Sequence, residues 1–188
     1  GHVIRELVVN NRIIGGMTEN CSEAAIALYK TFVEGECVVT NTRTAEMTKL
    51  TENASRDVSI AFANELSIVC DSLDIDVWEL ISLANRHPRV NILKPGPGVG
   101  GHCIAVDPWF IVSQEPEKST LMHAARNIND RKPLWVLRKI KKVVAEFLAD
   151  NTNKVEEEVI IALYGLTFKQ NIDDLRESPS LAIADEVG

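Results

Sequence analysis

One long amphipathic segment limits the folds available to this chain more than any other feature. From Thr44 to Leu73, apolar residues recur mostly at spacings of three and four, the pattern of a single α-helix. They are Met47, Leu50, Ala54, Val58, Ala61, Phe62, Leu66 and Val69. At about 1.5 Å per residue this helix is roughly 45 Å long, and it needs packing partners along its length. The sequence therefore predicts a helical bundle or a dimer interface.

Further helices are predicted on the C-terminal side of this segment. Asp76 can cap a helix over VWELISLANR, which Pro88 stops. Residues 91–101 follow as a loop rich in Gly and Pro. A helical pair is predicted next, over 118–130 and 133–148, because Pro133 suits a first helical turn. Residues 42–150 thus form a helical central domain.

Both ends of the chain mix helix and strand. The segment IRELVVNNRIIGGMT indicates the end of a helix and a short strand, CSEAAIALYKTFVEGE a helix ended by Gly35, and CVVTN a second strand. Near the other end, VIIALYGLTF has the pattern of a buried strand, and a helix starts near Ser178. We expect residues 1–41 to be the end of an α/β domain whose beginning is absent, and residues 151–188 to be the start of a doubly wound nucleotide-binding domain.

Composition argues against several classes of protein. The net charge is -7 and basic residues form no stripe, so we expect no nucleic-acid partner. No apolar run approaches the ~20 residues that cross a bilayer, so we expect no membrane partner. The four cysteines lack CxxC spacing, which favours reduced thiols and a cytoplasmic protein. The opening GHVIRELVV has no signal-peptide pattern, so no export is expected.

Cys103 is the candidate nucleophile. It follows four glycines in PGPGVGGHCIAVD, and glycine lets backbone N–H groups approach a ligand without a Cβ in the way. A cysteine in an apolar stretch is more often a small core residue, but this loop favours an accessible thiol. Asp107, four residues later, offers a carboxylate that can orient water or accept a proton, although alone it is more often a cap or turn residue.

Lys49 and Asn53 form a second candidate pair. They are four positions apart on the long helix, so their side chains share one face. An ammonium beside an amide can stabilise an alkoxide or oxyanion, whereas without further context such a pair is more often a solvated surface pair.

Other polar residues leave alternatives open. His102 invites a dyad with Cys103, although adjacent side chains in an extended loop usually point apart. The four histidines have no spacing that makes a metal site with the cysteines, so no metal is expected. Lys169 and Arg176 flank a strand-to-helix turn, where phosphates are often bound, but they can equally pair with neighbouring carboxylates.

Three motifs together resemble the UDP-glucose/GDP-mannose dehydrogenase family. They are RTAEMTKLTEN, NRHPRVNILKPGPGVGGHCIAVDPWF and GLTFKQNIDDLRESP. The resemblance extends over essentially the whole chain and implies an α/β enzyme with a mainly helical central dimerisation domain between two Rossmann-like domains. It also implies that the glycine-rich NAD fingerprint and a catalytic glutamate precede residue 1, so that the chain alone is inactive.

The resemblance implies a reaction. A C6 alcohol of a UDP-hexosamine is oxidised twice by NAD, through an aldehyde held on the cysteine as a thiohemiacetal and then a thioester that water hydrolyses. Cys103 would be the nucleophile, Lys49 would stabilise oxyanions, Asn53 would hold the sugar or a water, and Asp107 would assist proton transfer. His102 replaces a serine common in UDP-glucose enzymes, which favours an N-acetylmannosamine substrate.

The resemblance also implies binding residues. Arg89, or alternatively Arg86, would enter the substrate site of the neighbouring subunit of a homodimer. Lys94, the backbone of Gly100 and Gly101, Phe168 and Lys169 would contact the UDP-sugar. Arg176 would meet the pyrophosphate of NAD.

Two other functions remain open at this point. The chain can be a non-catalytic dimerisation module, as its long apolar-striped helix suggests. Alternatively, Cys103 with His102 can carry out thiol acyl transfer or ester hydrolysis, which needs no NAD.

Overall fold

The computed structural model describes residues 2–169 and 171–187 and divides into two units, residues 1–53 and residues 54–188. Two short parallel strands form the sheet of the first unit. Helix α1 (Val3–Val9) leads into β1 (Arg12–Gly16), and α2 (Glu19–Tyr29) connects β1 to β2 (Cys37–Asn41). The strands pair from Arg12 opposite Cys37 to Gly16 opposite Asn41. The predicted helix, two strands and connecting helix are therefore confirmed. Gln170, within the third sequence motif, lies outside the described residues.

The connecting helix is shorter than the sequence predicted. It ends at Tyr29, and the chain turns over the next residues so that Val33 is buried. Gly35 instead lies where the chain passes residue 10: a Cβ there would be 2.4 Å from the Asn10 carbonyl oxygen. Gly35 thus serves a close backbone approach rather than a helix end.

Five helices account for most of the remaining regular structure. α3 (Thr42–Ser72) begins in the first unit and continues into the second, residues 54–188, which also holds α4 (Val77–Ala84), α5 (Asp107–Gln114), α6 (Thr120–Asp150) and α7 (Pro179–Val187). The predicted long helix is confirmed to within two residues at each end. Asp76 caps α4, since its Oδ1 accepts hydrogen bonds from the backbone N–H groups of Trp78 (2.8 Å) and Glu79 (3.3 Å).

The buried face of α3 differs from the predicted apolar stripe. Met47, Phe62 and Val69 are 48%, 54% and 45% exposed, whereas Asp57 and Asn64 are fully buried. Within the second unit, the facing residues of α6 are also polar: Arg126, Asn129 and Lys132 are each at most 3% exposed. Of the predicted stripe, Ala54 and Ala61 are buried. The stripe therefore accounts for only part of the packing, because hydrogen bonds as well as apolar contacts join these helices.

These polar side chains form a connected network. Asp57 Oδ1 accepts from Arg126 Nη1 (2.7 Å) and from Asn129 Nδ2 (2.8 Å), and Arg126 also pairs with Asp130. Asn64 Nδ2 donates to Asn129 Oδ1 at 2.9 Å. Burial raises the pKa of Asp57, an effect that the Arg126 charge opposes. The network therefore depends on every partner being present.

The predicted pair of helices after residue 118 is one continuous helix. α6 runs through Pro133, where we predicted a helix start. Proline has no N–H to donate to the carbonyl four residues earlier and usually costs about 3 kcal/mol inside a helix. The buried residues of this helix, from Ala125 to Lys132, all precede the proline and pack within the second unit, and Trp135 and Val136 just after it are half-buried. This packing offsets the cost of the proline.

The predicted strand VIIALYGLTF is wrong. Residues 159–168 have no strand structure, and Ile160 and Tyr164 are 93% and 96% exposed. A buried parallel strand needs neighbours on its edges, and within the described ranges only β1 and β2 are paired. The helix predicted near Ser178 is confirmed as α7, and a short 3₁₀ helix, Glu156–Glu158, lies in the preceding polar segment.

The domain ranges 1–41, 42–150 and 151–188 stay predictions. Across the residues that the structure describes, no helix has the combination of length and apolar character that a membrane span requires.

The pH dependence of stability tests whether Lys132 is buried in the polar core. Burial lowers its pKa from 10.5 to about 8. Below pH 8 both folded and unfolded states carry the charge, and between pH 8 and 10.5 the folded state has already lost it. We expect the free energy of unfolding to rise across that interval, by up to about 3 kcal/mol from this residue. Urea unfolding at several pH values should show a steeper rise for wild type than for Lys132→Met. The exposed-lysine control Lys142→Met should keep the wild-type slope, and equal slopes for all three proteins would contradict the assignment.

Candidate active site

The segment between α4 and α5 forms the centre of the candidate site. We call residues 94–106 the glycine loop. At its N-terminal approach, the Asn85 side chain holds Ile92 through two hydrogen bonds, of 2.9 Å to the carbonyl and 2.7 Å from the N–H. Asn64 Oδ1 then accepts the N–H of Gly96 at 2.8 Å. The loop is therefore attached to the helical part of the second unit.

Glycine is required where the loop meets the C-terminal segment. A Cβ on Gly100 would lie 2.4 Å from the Glu177 carbonyl oxygen and 2.6 Å from Phe168 Cβ. Gly101 has a φ of +79°, which side chains rarely adopt, and its N–H donates to the Arg176 carbonyl at 3.2 Å. The structure thus brings Gly100 and Gly101 against Phe168, as contacts between predicted substrate residues.

Cys103 is exposed and lies one turn before α5. Its carbonyl oxygen accepts the N–H groups of Val106 (3.1 Å) and Asp107 (2.8 Å), so the loop turns directly into the helix. This helix was not predicted. Asp107 is its first residue, partly buried, with Pro108 buried behind it. Cys103 and Asp107 are thereby held one turn apart at a helix start.

A charged pair lies close to the thiol. Arg176 donates through Nε and Nη2 to Asp174, at 2.9 Å and 2.6 Å. Hydrogen bonds from Arg176 lower the pKa of Asp174 to about 2, with a smaller contribution from His102. The Arg176 pKa is raised, mainly by Asp174 and slightly by Cys103. The hydrogen bond from the Gly101 N–H to the Arg176 carbonyl, 3.2 Å, places this pair beside the segment that leads into His102 and Cys103.

Arg176 fits a phosphate-binding role in part. Its side chain is 65% exposed, and Nη1 takes no part in the two Asp174 bonds just described. The guanidinium can therefore offer donors to an anion, but Asp174 offsets much of its charge. Residues 2–169 and 171–187 contain no group of three His, Cys, Asp or Glu side chains that could hold a metal ion.

Lys49 and Asn53 lie in the first unit, on the part of α3 that belongs to it. Lys49 Nζ is 3.7 Å from Glu52 Oε2, and both side chains are more than 60% exposed. Such a surface pair is weak and leaves the ammonium able to move to a ligand. A polar pocket of about 370 Å³ lies beside Lys49, lined also by Arg12, Thr48 and Glu52. Asn53 is partly buried.

The remaining predicted binding residues are exposed. Arg86 and Arg89 follow the end of α4, and the N–H of Arg89 donates to His87 Nδ1 at 3.3 Å. Lys94 begins the glycine loop, and Lys169 follows Phe168. Their side chains are thus available to a ligand or a partner chain.

Sequence reasoning missed the residues that support the loop. Asn64 and Asn129 are fully buried, and Ser178 Oγ donates to the Leu166 carbonyl at 2.6 Å, which secures the turn before α7. A signal was present: Asp57 and Asn64 are seven apart on the long helix, a spacing that puts two polar groups on one face.

A pocket of about 330 Å³ lies behind the loop, on the side of Gly96 and Pro95. Trp78, Trp135 and Lys132 line it, and Lys132 Nζ lies 3.9 Å from the Trp135 ring centroid. The lysine is thus held by an aromatic face as well as by Ser67 Oγ.

Two family models match the chain. Residues 43–131 match the central domain of the UDP-glucose/GDP-mannose dehydrogenase family, and residues 162–188 match its UDP binding domain. Their ranges include Lys49, Asn53, Cys103 and Asp107 in the first and Phe168, Lys169 and Arg176 in the second.

Curated relatives and solved structures agree with these matches. The chain is 66% identical over 184 residues to UDP-N-acetyl-D-mannosamine dehydrogenase of Yersinia pestis, covering 98% of the chain and 44% of that relative. It is 63% identical to NDP-N-acetyl-D-galactosaminuronic acid dehydrogenase of Ralstonia nicotianae, covering 97% of the chain and 41% of the relative. The structure of UDP-D-ManNAc dehydrogenase from Pyrococcus horikoshii superposes with a TM-score of 0.88 at 43% identity, over 100% of this chain and 44% of that one. The chain thus spans less than half the length of these relatives.

The close packing of Gly100 against Phe168 and Glu177 can be tested with a matched pair of substitutions. Gly100→Ala places a Cβ within 2.6 Å of Phe168 and of the Glu177 backbone, whereas a Cβ on Gly96 meets nothing nearer than 4.0 Å. We expect Gly100→Ala to lower the free energy of unfolding by about 1–3 kcal/mol through overpacking, and Gly96→Ala to change it by less than about 0.5 kcal/mol. Urea unfolding measures both. Equal effects of the two substitutions would show that the loop does not pack against the C-terminal segment.

Proposed function

Because the chain belongs to the UDP-glucose/GDP-mannose dehydrogenase family, we propose that it carries the nucleophile of an NAD-dependent nucleotide-sugar 6-dehydrogenase. The proposed reaction of the full-length enzyme oxidises a C6 alcohol to a carboxylate. The substrate that we propose is UDP-N-acetyl-D-mannosamine, because the relatives of that name include the Yersinia pestis enzyme at 66% identity. The Ralstonia relative, at 63% identity, makes a galactosamine-derived NDP-sugar the main competing substrate.

The observation that carries this proposal is the exposed Cys103 thiol, which follows Gly100 and Gly101 in the glycine loop. An accessible thiolate can add to an aldehyde carbon, forming a C–S bond while the carbonyl oxygen becomes an alkoxide and takes up a proton. Lys49 is proposed to stabilise that oxyanion with its ammonium. Asp107, held one turn from Cys103, is proposed to move the thiol proton.

The overall balance requires two oxidations. NAD, when bound, supplies the oxidising power of each step by accepting two electrons and a proton as hydride. After the second oxidation, Cys103 holds the sugar as a thioester. Water then adds to the thioester carbon, the C–S bond breaks, and the thiol and the carboxylate are released. One alcohol and one water thus give one carboxylate, with two NAD reduced and three protons released.

The other residues are assigned to binding. Phe168, Lys169, Lys94 and the backbone of Gly100 and Gly101 are proposed to contact the UDP-sugar, and Asn53 to hold the sugar or a water. Arg176 is proposed to meet the NAD pyrophosphate through Nη1, which takes no part in its bonds to Asp174. Arg89, or alternatively Arg86, is proposed to reach the substrate site of a second subunit. The exposure of these cationic side chains supports the assignment.

The test is a pair of cysteine substitutions in the full-length enzyme. We expect Cys103→Ala to lower NAD reduction with UDP-N-acetyl-D-mannosamine by at least about 1,000-fold, since the covalent intermediates cannot form. Cys21→Ala, which removes another exposed thiol, should keep activity within about twofold. Undiminished turnover of Cys103→Ala would overturn the nucleophile assignment. Ester cleavage without NAD that depends on Cys103 would instead favour acyl transfer.

A second function, dimerisation through the helical domain, is favoured by apolar side chains left on the surface. Phe62 and Val69, seven apart on α3, and Val143 and Phe147, four apart on α6, are between 44% and 61% exposed. Residues at these spacings share a helix face. Such faces are typical of association surfaces, so this function is compatible with the enzyme.

Sedimentation tests the dimer. We expect the chain to sediment with twice its 20.8 kDa mass at micromolar concentration, and Phe62→Glu to shift it towards monomer because a charge enters an apolar interface. Met17→Glu, at an exposed site on the first unit, serves as the control and should leave the dimer intact. A monomer at high concentration would exclude the module.

A further inference from the structure

In the segment Pro95–Gly96–Pro97, Gly96 alone has a backbone N–H, because proline has none. That N–H donates to Asn64 Oδ1 at 2.8 Å. Asn64 is fully buried on α3, so the bond is shielded from water. The start of the glycine loop therefore has one specific backbone attachment to the helical part of the second unit.

The direction of the Asn64 amide is fixed by its other partner. Its Nδ2 donates to Asn129 Oδ1, and Asn129 in turn donates to the Asp57 carbonyl at 3.1 Å and carboxylate at 2.8 Å. Arg126 Nη1 donates to the same carboxylate oxygen, Asp57 Oδ1. Since carboxylates accept and guanidinium groups donate, each amide in the chain can point only one way. The Asn64 oxygen is thereby directed at the loop.

A second contact comes from the same turn of α6. Pro133 cannot donate to the carbonyl of Asn129, four residues earlier. That carbonyl lies beside Gly98, where a Cβ would be only 3.2 Å from its oxygen. Gly98 also has a φ of +149°. Asn129 thus meets the loop through its backbone and, by way of Asn64, through its side chain.

We propose that Asn64 is a positioning residue for Cys103: by fixing Gly96, it sets where the glycine loop presents the thiol and its backbone to substrate. Cys103 is seven positions after Gly96, and Gly100 between them is fixed against Phe168 and Glu177. Loss of the near attachment frees the loop to shift relative to these contacts. The inference rests on the proposed function in assigning Cys103 as nucleophile.

The kinetic test uses the full-length enzyme. Asn64→Ala should raise KM for the UDP-sugar and lower kcat/KM by roughly 10- to 100-fold, because misplacement of reacting groups is costly. Ser67→Ala is the matched control: it removes a buried hydroxyl one turn further along α3 that binds Lys132 and the Asn64 backbone carbonyl and leaves the Asn64 side-chain bond to Gly96 in place. The control should keep KM and the kcat per folded site within about twofold. A purely structural role for Asn64 would lower the amount of folded enzyme without changing KM.

A conservative variant covers the case in which Asn64→Ala fails to fold. In Asn64→Asp, burial favours the protonated carboxyl, which can accept from Gly96 and donate to Asn129. We expect kcat/KM near the wild-type value at pH 6 and a fall of about tenfold or more by pH 9, relative to the wild-type profile. A profile parallel to wild type, or equal losses in Ser67→Ala, would overturn the proposal.

Amide hydrogen exchange separates this inference from the function it rests on. The protection factor of the Gly96 N–H should fall by at least about tenfold in Asn64→Ala and stay at the wild-type value in Ser67→Ala. Both results are expected whether or not the enzyme oxidises UDP-sugars. Absent NAD reduction in wild type would reject the proposed function alone. Unchanged Gly96 protection in Asn64→Ala would reject the positioning role alone.

Discussion

The structure of the second unit depends on a buried polar contact between two long helices. Asp57 on α3 meets Arg126 and Asn129 on α6 with hydrogen bonds of 2.7–2.8 Å, and all three side chains are almost fully buried. Burying a charge is costly unless its partner is present, so either charge alone would be strongly unfavourable. Unlike an apolar stripe, which tolerates sliding, these directional bonds fix how far one helix is displaced along the other.

The same network that fixes the two helices also fixes the position of the glycine loop. Asn64 lies seven residues after Asp57 and connects the same network to Gly96, while Asn129 contributes a backbone carbonyl beside Gly98. On its other side, the loop packs against Phe168, Glu177 and Pro179 with no room for a Cβ at Gly100. The loop is thus held between the helices and the segment before α7, and its glycines are explained by contact as well as by backbone freedom.

Cys103 has an exposed thiol on a backbone that is held by hydrogen bonds. Its carbonyl closes the turn that starts α5, and Arg176 and Asp174 lie near the thiol. A nucleophile needs access and a fixed position at the same time. In the proposed role of Cys103, the exposed thiol provides access, and the loop before it is held by the buried bond of Gly96 to Asn64 and by the packing of Gly100 against Phe168.

The sequence by itself determined the local elements and the candidate nucleophile. Helical spacing from Thr44, the cap at Asp76, the βαβ order at the start and the glycines before Cys103 are local patterns, and the first three correspond to observed elements. Tertiary structure decided what the local patterns left open. Pro133 lies inside a helix because the tertiary packing of Ala125 to Lys132, which precede it, outweighs its cost, and VIIALYGLTF forms no strand because a strand depends on distant partners. Likewise, periodicity marked apolar residues of α3 as the packing face, whereas Asp57 and Asn64 are buried there because Arg126 and Asn129, more than sixty residues away in sequence, supply their hydrogen bonds.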